Sequence, residues 1–173
     1  MKTNLTSETV LFDFASVTAA GWQIVNDDVM GGISTSRFSV TNGAAVFSGN
    51  VSLENNGGFA SVRTLPQAFG LAEADAFVVR VRGDGGRYKF TARTDASFDS
   101  ALYQLAFPTK AGEWQEIILP LKDFVPTFRG RVLPNEPPLR AERLTSVGFL
   151  ISDQQAGAFR LEIAWIKAVK RAG

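Results

Sequence analysis

The sequence predicts an all-β domain, an antiparallel sandwich or barrel of short strands with at most short helices. Three observations carry that reading. Apolar and polar residues alternate in many short runs, the runs are separated at close intervals by Gly, Asn, Asp and Pro, and helical periodicity is nearly absent. Composition agrees, because 14 Phe and 3 Trp in 173 residues supply an aromatic payload that suits a pleated sheet. The length is that of a single domain, residues 1–173. A globule of this size buries roughly 70% of the surface its unfolded chain exposes and needs neither metal nor disulfide to fold.

The elements follow in chain order. Val10, Phe12 and Phe14 share one face of the first run. Phe77, Val79 and Val81 do so next, with Val78, Arg80 and Arg82 opposite. Tyr88, Phe90 and Ala92 alternate with Lys89, Thr91 and Arg93. Val147, Phe149 and Ile151 come before the closing series Phe159, Leu161, Ile163 and Trp165, which places Trp165 in the core. Weaker runs fall at Arg37–Thr41, Ala45–Leu53, Phe59–Arg63, Tyr103–Phe107 and Trp114–Leu119. Pro66–Leu71 and Pro138–Leu144 each start with a proline and are expected to form a helical turn or two. Pro126–Pro138, with Arg129, Gly130, Arg131 and four prolines, reads as a long functional loop.

Composition excludes several classes of function. The chain has no histidine and no cysteine, which removes Ser-His-Asp triads, Cys-His dyads, ordinary zinc sites and disulfides. The expectation is a binding protein and not an enzyme, with no cofactor and no metal. The net charge is +1 and no basic stripe is interleaved with aromatics, so nucleic acid is not an expected partner. No apolar run approaches a membrane span. Met1–Val10 has neither the apolar core of a signal peptide nor the Arg-rich character of a transit peptide, so the expected location is cytoplasmic. The expected state is a monomer.

Two glycine clusters read first as turns. Asn55-Asn56-Gly57-Gly58-Phe59 offers the Asn-Gly pair of a type I′ hairpin, and Asp84-Gly85-Gly86 reads as a hairpin tip. Arg82-Gly83-Asp84 is also an integrin-type tripeptide, too short to be specific. Neither cluster has the lysine and following helix of a phosphate loop. Asn26-Asp27-Asp28-Val29-Met30-Gly31-Gly32 exceeds what a turn needs: its glycines allow close backbone approach, and its acids are weak candidates for a hard cation. Trp22 and Trp114 border turns and are candidates for stacking on a sugar ring.

Together these segments resemble the complex I intermediate-associated protein 30 family. The carrying residues are Asn26–Ser34, Phe47-Ser48-Gly49, Ser52–Arg63, Gly83-Asp84-Gly85 with Tyr88, Tyr103-Gln104 and Gly112-Glu113-Trp114. Pro120 with Phe124, Phe128–Arg131 and Phe159–Ile163 complete the set, so the resemblance runs from about residue 12 to 166. It implies a galactose-binding-domain-like jelly roll and a chaperone-like role in assembly of respiratory complex I, here as the bare domain of a bacterial member. The leading expectation is therefore a non-enzymatic domain that binds a protein partner, a respiratory-complex subunit or assembly intermediate. The alternative is a module that binds a saccharide or another small ligand.

Candidate binding residues are Asn26, Asp27, Met30, Gly31, Gly32, Asn55, Asn56, Gly57, Gly58, Phe59, Arg63, Arg129 and Arg131. They come from three segments far apart in sequence, Asn26–Gly32, Asn55–Phe59 and Phe128–Arg131. The expectation is that these segments meet at one rim of loops on a rigid scaffold.

Overall fold

The computed structural model describes residues 5–26, 33–54, 58–95, 101–128, 131–153 and 155–171. These form two antiparallel sheets packed face to face, a jelly-roll sandwich. The strands are β1 (Leu5–Asp13), β2 (Trp22–Ile24), β3 (Thr35–Thr41), β4 (Ala44–Val51), β5 (Ala60–Thr64), β6 (Ala76–Arg82) and β7 (Arg87–Arg93). They continue with β8 (Leu102–Pro108), β9 (Trp114–Pro120), β10 (Val125–Phe128), β11 (Arg131–Val132), β12 (Ser146–Ile151) and β13 (Gly157–Arg171). One sheet is six-stranded, in the order β3-β4-β13-β6-β9 with β1 also paired to β13. The other is seven-stranded, in the order β11-β10-β8-β7-β12-β5-β2.

The core is the set of inward side chains that the period-two runs place on facing sheets. Ala45, Phe47, Phe77, Val79, Val81, Leu161 and Ile163 come from the six-stranded sheet. Val62, Tyr88, Phe90, Val147 and Phe149 come from the other. Phe77 joins the layers by meeting Phe90 at 5.1 Å, while Phe90–Phe149 at 5.3 Å and Phe47–Phe159 at 4.9 Å pair rings on neighbouring strands of one sheet. Each such pair adds about 0.5–1.5 kcal/mol to simple burial.

Several features differ from the sequence expectation, each for a local reason. Trp165 does not continue the inward series. A register shift between Ile163 and Trp165 inserts an extra residue, so Ile166 and Ala168 turn inward and Trp165 turns out beneath the Lys167 ammonium, 4.1 Å from its centroid. A similar shift between Val10 and Phe12 leaves Val10 53% exposed while Phe14 is buried. Pro66–Leu71 forms no helix: Gly70 lies at a positive φ of 61°, outside the right-handed helical region, and the Gln67 N–H is tied to the Thr145 carbonyl (2.9 Å). The second proline-led segment holds only a single 3₁₀ turn, Ala141–Arg143. Pro126–Pro138 is not wholly irregular, since β10 and β11 pair within it.

Neither glycine cluster closes a hairpin. β4 belongs to the six-stranded sheet and β5 to the seven-stranded one, and β6 and β7 are divided in the same way. Both connections therefore cross between layers. The true Asn-Gly hairpin lies elsewhere, between β3 and β4. There Asn42 (φ 54°) and Gly43 (φ 80°) have the two positive dihedrals of a type I′ turn.

Space is not limiting at Gly43, where an added Cβ would lie 3.9 Å from Ala15. Gly43→Val is thus expected to destabilise by backbone strain alone, about 1–3 kcal/mol. Urea denaturation checks this, and an unshifted midpoint would show that the turn tolerates a β-branched residue.

Candidate functional site

Asp27, Met30, Gly31, Gly32, Asn55, Asn56, Gly57 and Arg129 lie outside the described residues. Of the remaining candidates, Asn26 is buried and ties three segments together. Its Nδ2 donates to the Ser34 carbonyl (3.5 Å), while its Oδ1 accepts from the Ser36 hydroxyl (2.8 Å) and from the Ser61 N–H (3.2 Å). One side chain thereby bridges β3 of one sheet and β5 of the other. Ser34 adds a second link, its hydroxyl accepting from Ser52 N–H at 2.9 Å. Gly58 (φ 132°) and Phe59 lead directly into β5, whose Ser61 bonds Asn26. The third does not. β2, which leads to Asn26, and β11, which carries Arg131, are opposite edges of the seven-stranded sheet. They also lie toward opposite ends, since the segment after Ile24 runs level with Ala60, whereas Phe128 and Arg131 lie beyond the Leu102 level.

The Arg82-Gly83-Asp84 tripeptide is occupied internally. Arg82 forms a two-point ion pair with Glu162, its Nη2 3.0 Å from Oε1 and its Nε also bonded. Arg160 reaches the same carboxylate at 3.3 Å. Asp84 Oδ1 accepts from Gly86 N–H and from the Tyr88 hydroxyl, both at 3.0 Å, and Oδ2 accepts from Arg160 N–H at 2.9 Å. Burial, with the neighbouring Asp84 charge, pushes the Tyr88 hydroxyl well above its ordinary range. This crossover is fastened and is not a presented recognition loop.

Arg63 lies on the solvent face of the seven-stranded sheet, because Val62 and Thr64 point into the core. The register sets a polar row across that face: Gln23, Arg63, Gly148, Thr91, Gln104 and Val125 on successive strands. One step along, Arg93 of β7 stands opposite Ser146 of β12. Arg63 and Arg93 therefore flank β12, with Cα atoms roughly 12 Å apart by standard strand spacings, and β12 offers only glycine and serine beneath them. Gly148 is required by close approach, since a Cβ there would come within 2.9 Å of both Arg63 Cβ and Thr91 Oγ1. Desolvation, aided by the Arg93 charge, pushes the Arg63 guanidinium down to about 10, and desolvation lowers Arg93 as well. Both stay cationic at neutral pH. Sequence reasoning singled out Arg63 and missed Arg93 as a site residue, although the outward series Lys89, Thr91, Arg93 already placed it.

The tryptophan candidates for sugar stacking are committed elsewhere. Trp22 is partly buried and packs against Phe38 (4.8 Å) and Phe12 (5.1 Å) at the edge of the core. Arg80 and Arg82 lie over the Trp114 ring at 5.4 and 5.0 Å. Among the described residues no group of three acidic, histidine or cysteine side chains could hold a metal ion, and no helix is long and apolar enough to cross a membrane.

Residues 12–163 match the family described as complex I intermediate-associated protein 30. The chain belongs to this family. A mouse relative named complex I intermediate-associated protein 30, mitochondrial, is 28% identical over 84% of this chain and 51% of its own length. The Neurospora crassa protein of that name is 31% identical over 68% of this chain and 48% of its own length. This complex I intermediate-associated protein 30 domain thus spans about half the length of those curated relatives. Their names and origins, which also include Drosophila melanogaster and Caenorhabditis elegans, overturn the expectation of a bacterial, cytoplasmic protein: these relatives are eukaryotic and mitochondrial. Among solved structures, a family 11 carbohydrate-binding module of Clostridium thermocellum in complex with a mixed-linked tetrasaccharide superposes with a TM-score of 0.71. It covers 94% of this chain and 95% of its own at 13% identity, which is a likeness of fold. A family 29 carbohydrate-binding module gives a TM-score of 0.56 at 14% identity.

Two predictions follow from this geometry. Asn26→Ala leaves the Ser61 N–H and the Ser36 hydroxyl without their acceptor, and is expected to cost about 2–3 kcal/mol. A chemical denaturation curve matching the wild type would remove Asn26 from its bracing role. The hydrogen bond from Arg82 holds the Glu162 carboxyl below its ordinary value, against an opposing effect of burial. A depressed folded pKa means that this contribution is present above the unfolded value and is lost as pH falls through the folded one. Melting temperatures taken from neutral pH down to about pH 3 should therefore fall less steeply for Glu162→Gln than for wild type; parallel curves would exclude Glu162 as a source of acid sensitivity.

Proposed function

We propose that this chain is a non-catalytic protein-binding domain that acts in assembly of respiratory complex I, its partner a complex I subunit or assembly intermediate. The family match over residues 12–163 carries the reading. The absence of histidine and cysteine from the whole chain supports a binding role over catalysis. The setting follows the relatives, whose names place them in mitochondria. A sandwich suits this task, because paired strands hold a broad face rigid and little ordering entropy is lost when a partner docks on it. Nothing about these two tryptophans favours a saccharide, with Trp22 packed against Phe12 and Phe38 at the edge of the core and Trp114 beneath two guanidiniums.

The test is affinity capture from mitochondria of cells expressing the tagged chain, read by mass spectrometry, with the mouse relative as a positive control and a glycan array in parallel. Complex I subunits should be enriched with both baits and the array should stay blank. Capture by the mouse protein but not by this chain, or a saturable glycan signal, would reverse the reading.

A further inference from the structure

The sheet edges of this sandwich are finished in different ways. A free edge presents unpaired N–H and C=O groups that another strand can take up, and folds blunt it by shortness, charge, proline or a bulge. The seven-stranded sheet ends on β2, three residues long, and on β11, two residues long. In the six-stranded sheet β1 is interrupted by two register shifts, and the connection from β2 is bonded to β3 and its approach, with Asn26 held by Ser34 and Ser36. β9 has none of these devices. It is seven residues long, its register with β6 is unbroken, Pro120 stands only at its end, and its one charge, Glu116, is paired with Arg80 at 3.2 Å. The Leu121 N–H bonds to the Asp75 carbonyl (2.9 Å), one step beyond the Pro120–Ala76 pair, so the backbone groups of Leu119, Ile117 and Gln115 also turn toward β6. Those of Trp114, Glu116 and Ile118, with the Pro120 carbonyl, turn outward and have no hydrogen-bond partner among the described residues. The side chains are equally unfinished. Ile118 is 38% exposed on the outer face, and Ile117 on the inner face is only half-buried although Leu119 beside it is buried.

We propose that β9 is the seam of a homodimer, in which β9 of a second copy pairs antiparallel with it and joins the two six-stranded sheets into one. This inference is independent of the proposed function. The strand is complementary to itself. A twofold axis perpendicular to the sheet keeps inner side chains opposite inner ones, so one residue must stand opposite its own copy. With Ile117 in that place the pairing spans the whole strand: Glu116 opposes Ile118, Gln115 opposes Leu119 and Trp114 opposes Pro120. The outward N–H groups of Trp114, Glu116 and Ile118 then meet the carbonyls of Pro120, Ile118 and Glu116 in the other copy. No outward donor is left over, because the remaining outward position is Pro120, which has no N–H. The two Ile117 residues form a non-hydrogen-bonded pair, the kind that brings side chains closest, with Cα atoms about 4.5 Å apart. Centring the seam on Glu116 would set two carboxylates face to face, and centring it on Ile118 would carry Trp114 past the end of the strand. A single strand pair about 23 Å long is a small interface, so the dimer should be weak, with a dissociation constant of about 10–100 μM. The monomer expected from the sequence is then the dilute form.

Sedimentation velocity of the purified chain from about 2 to 300 μM is the test, and wild type should pass from monomer to dimer across that range. Ile118→Glu sets like charges directly opposite each other at two points of the seam and should raise the dissociation constant at least about tenfold. Its melting temperature at low concentration should match that of wild type, because Ile118 lies on the outer face. Ile118→Lys puts an ammonium opposite Glu116 and should dimerise at least as well as wild type. Should Ile118→Glu not fold, Ile117→Cys gives a second reading. The chain has no cysteine of its own, so mild oxidation should link Ile117→Cys into a disulfide dimer, whereas Val132→Cys on the β11 edge should stay monomeric. A wild type that remains monomeric throughout would overturn the dimer. Equal dimerisation of wild type and Ile118→Glu would overturn the seam. If wild type is monomeric, and Ile118→Glu loses complex I subunits that wild type captures, the edge belongs to a strand of that partner and the second copy falls.

Discussion

The sandwich depends on the pairing of β13 with three other strands. Its 15 residues reach about 50 Å when extended, long enough to serve two neighbours along one edge. Gly157–Ile163 pairs with β4, Trp165–Arg171 pairs with β1, and β6 runs along the opposite edge from Glu162 to Val169. The bulge at Ala164 marks the change of partner, and Phe14 N–H reaches the Ala164 carbonyl there at 3.0 Å. An extra residue at that point changes which side chains face inward, so that Ile163 and Ile166 are both buried although their spacing breaks the period of two. Because β1 follows β4 along this edge, the first and last strands become neighbours and the six-stranded sheet closes around its longest member.

The strands themselves were legible because burial on one face imposes alternation, and every run picked out by period two is a strand. What alternation cannot convey is partnership. Asn42-Gly43 and Asn56-Gly57 are the same dipeptide, yet the first joins two strands of one sheet and the second lies between strands of different sheets. The difference is made by tertiary packing. A strand leaving a glycine-rich turn can pair with the strand before it or cross to the facing layer, and the choice depends on which edge is already filled. Bulges were equally hidden: Trp165 sits where the pattern predicts an inward side chain, and only the register of three strands turns it out.

The candidate site was legible in part and for mixed reasons. Asn26 stood out as a polar residue in a motif richer than a turn requires, and it proves to be a brace whose donors and acceptor are used within the fold. Arg131 was grouped with it on the strength of the family pattern, but the seven-stranded order sends them to opposite edges. Arg63 belonged to the same pattern and does lie on an open face. Arg93 lacked any motif. Its neighbour across the sheet is 30 positions away in sequence by number (Arg63 to Arg93), and only the insertion of β12 between β5 and β7 brings the two together.

Asn26 and Arg93 show the two fates of a buried polar group. A buried polar group that finds all its partners within the chain adds specificity to the fold, and its surroundings explain it completely. A cation with unmet donors beside another cation weakens the folded state, and no bond within the described residues offsets that cost. Methionine or glutamine at position 93 would relieve it without disturbing Tyr88, Phe90 or Ala92, which face the other way.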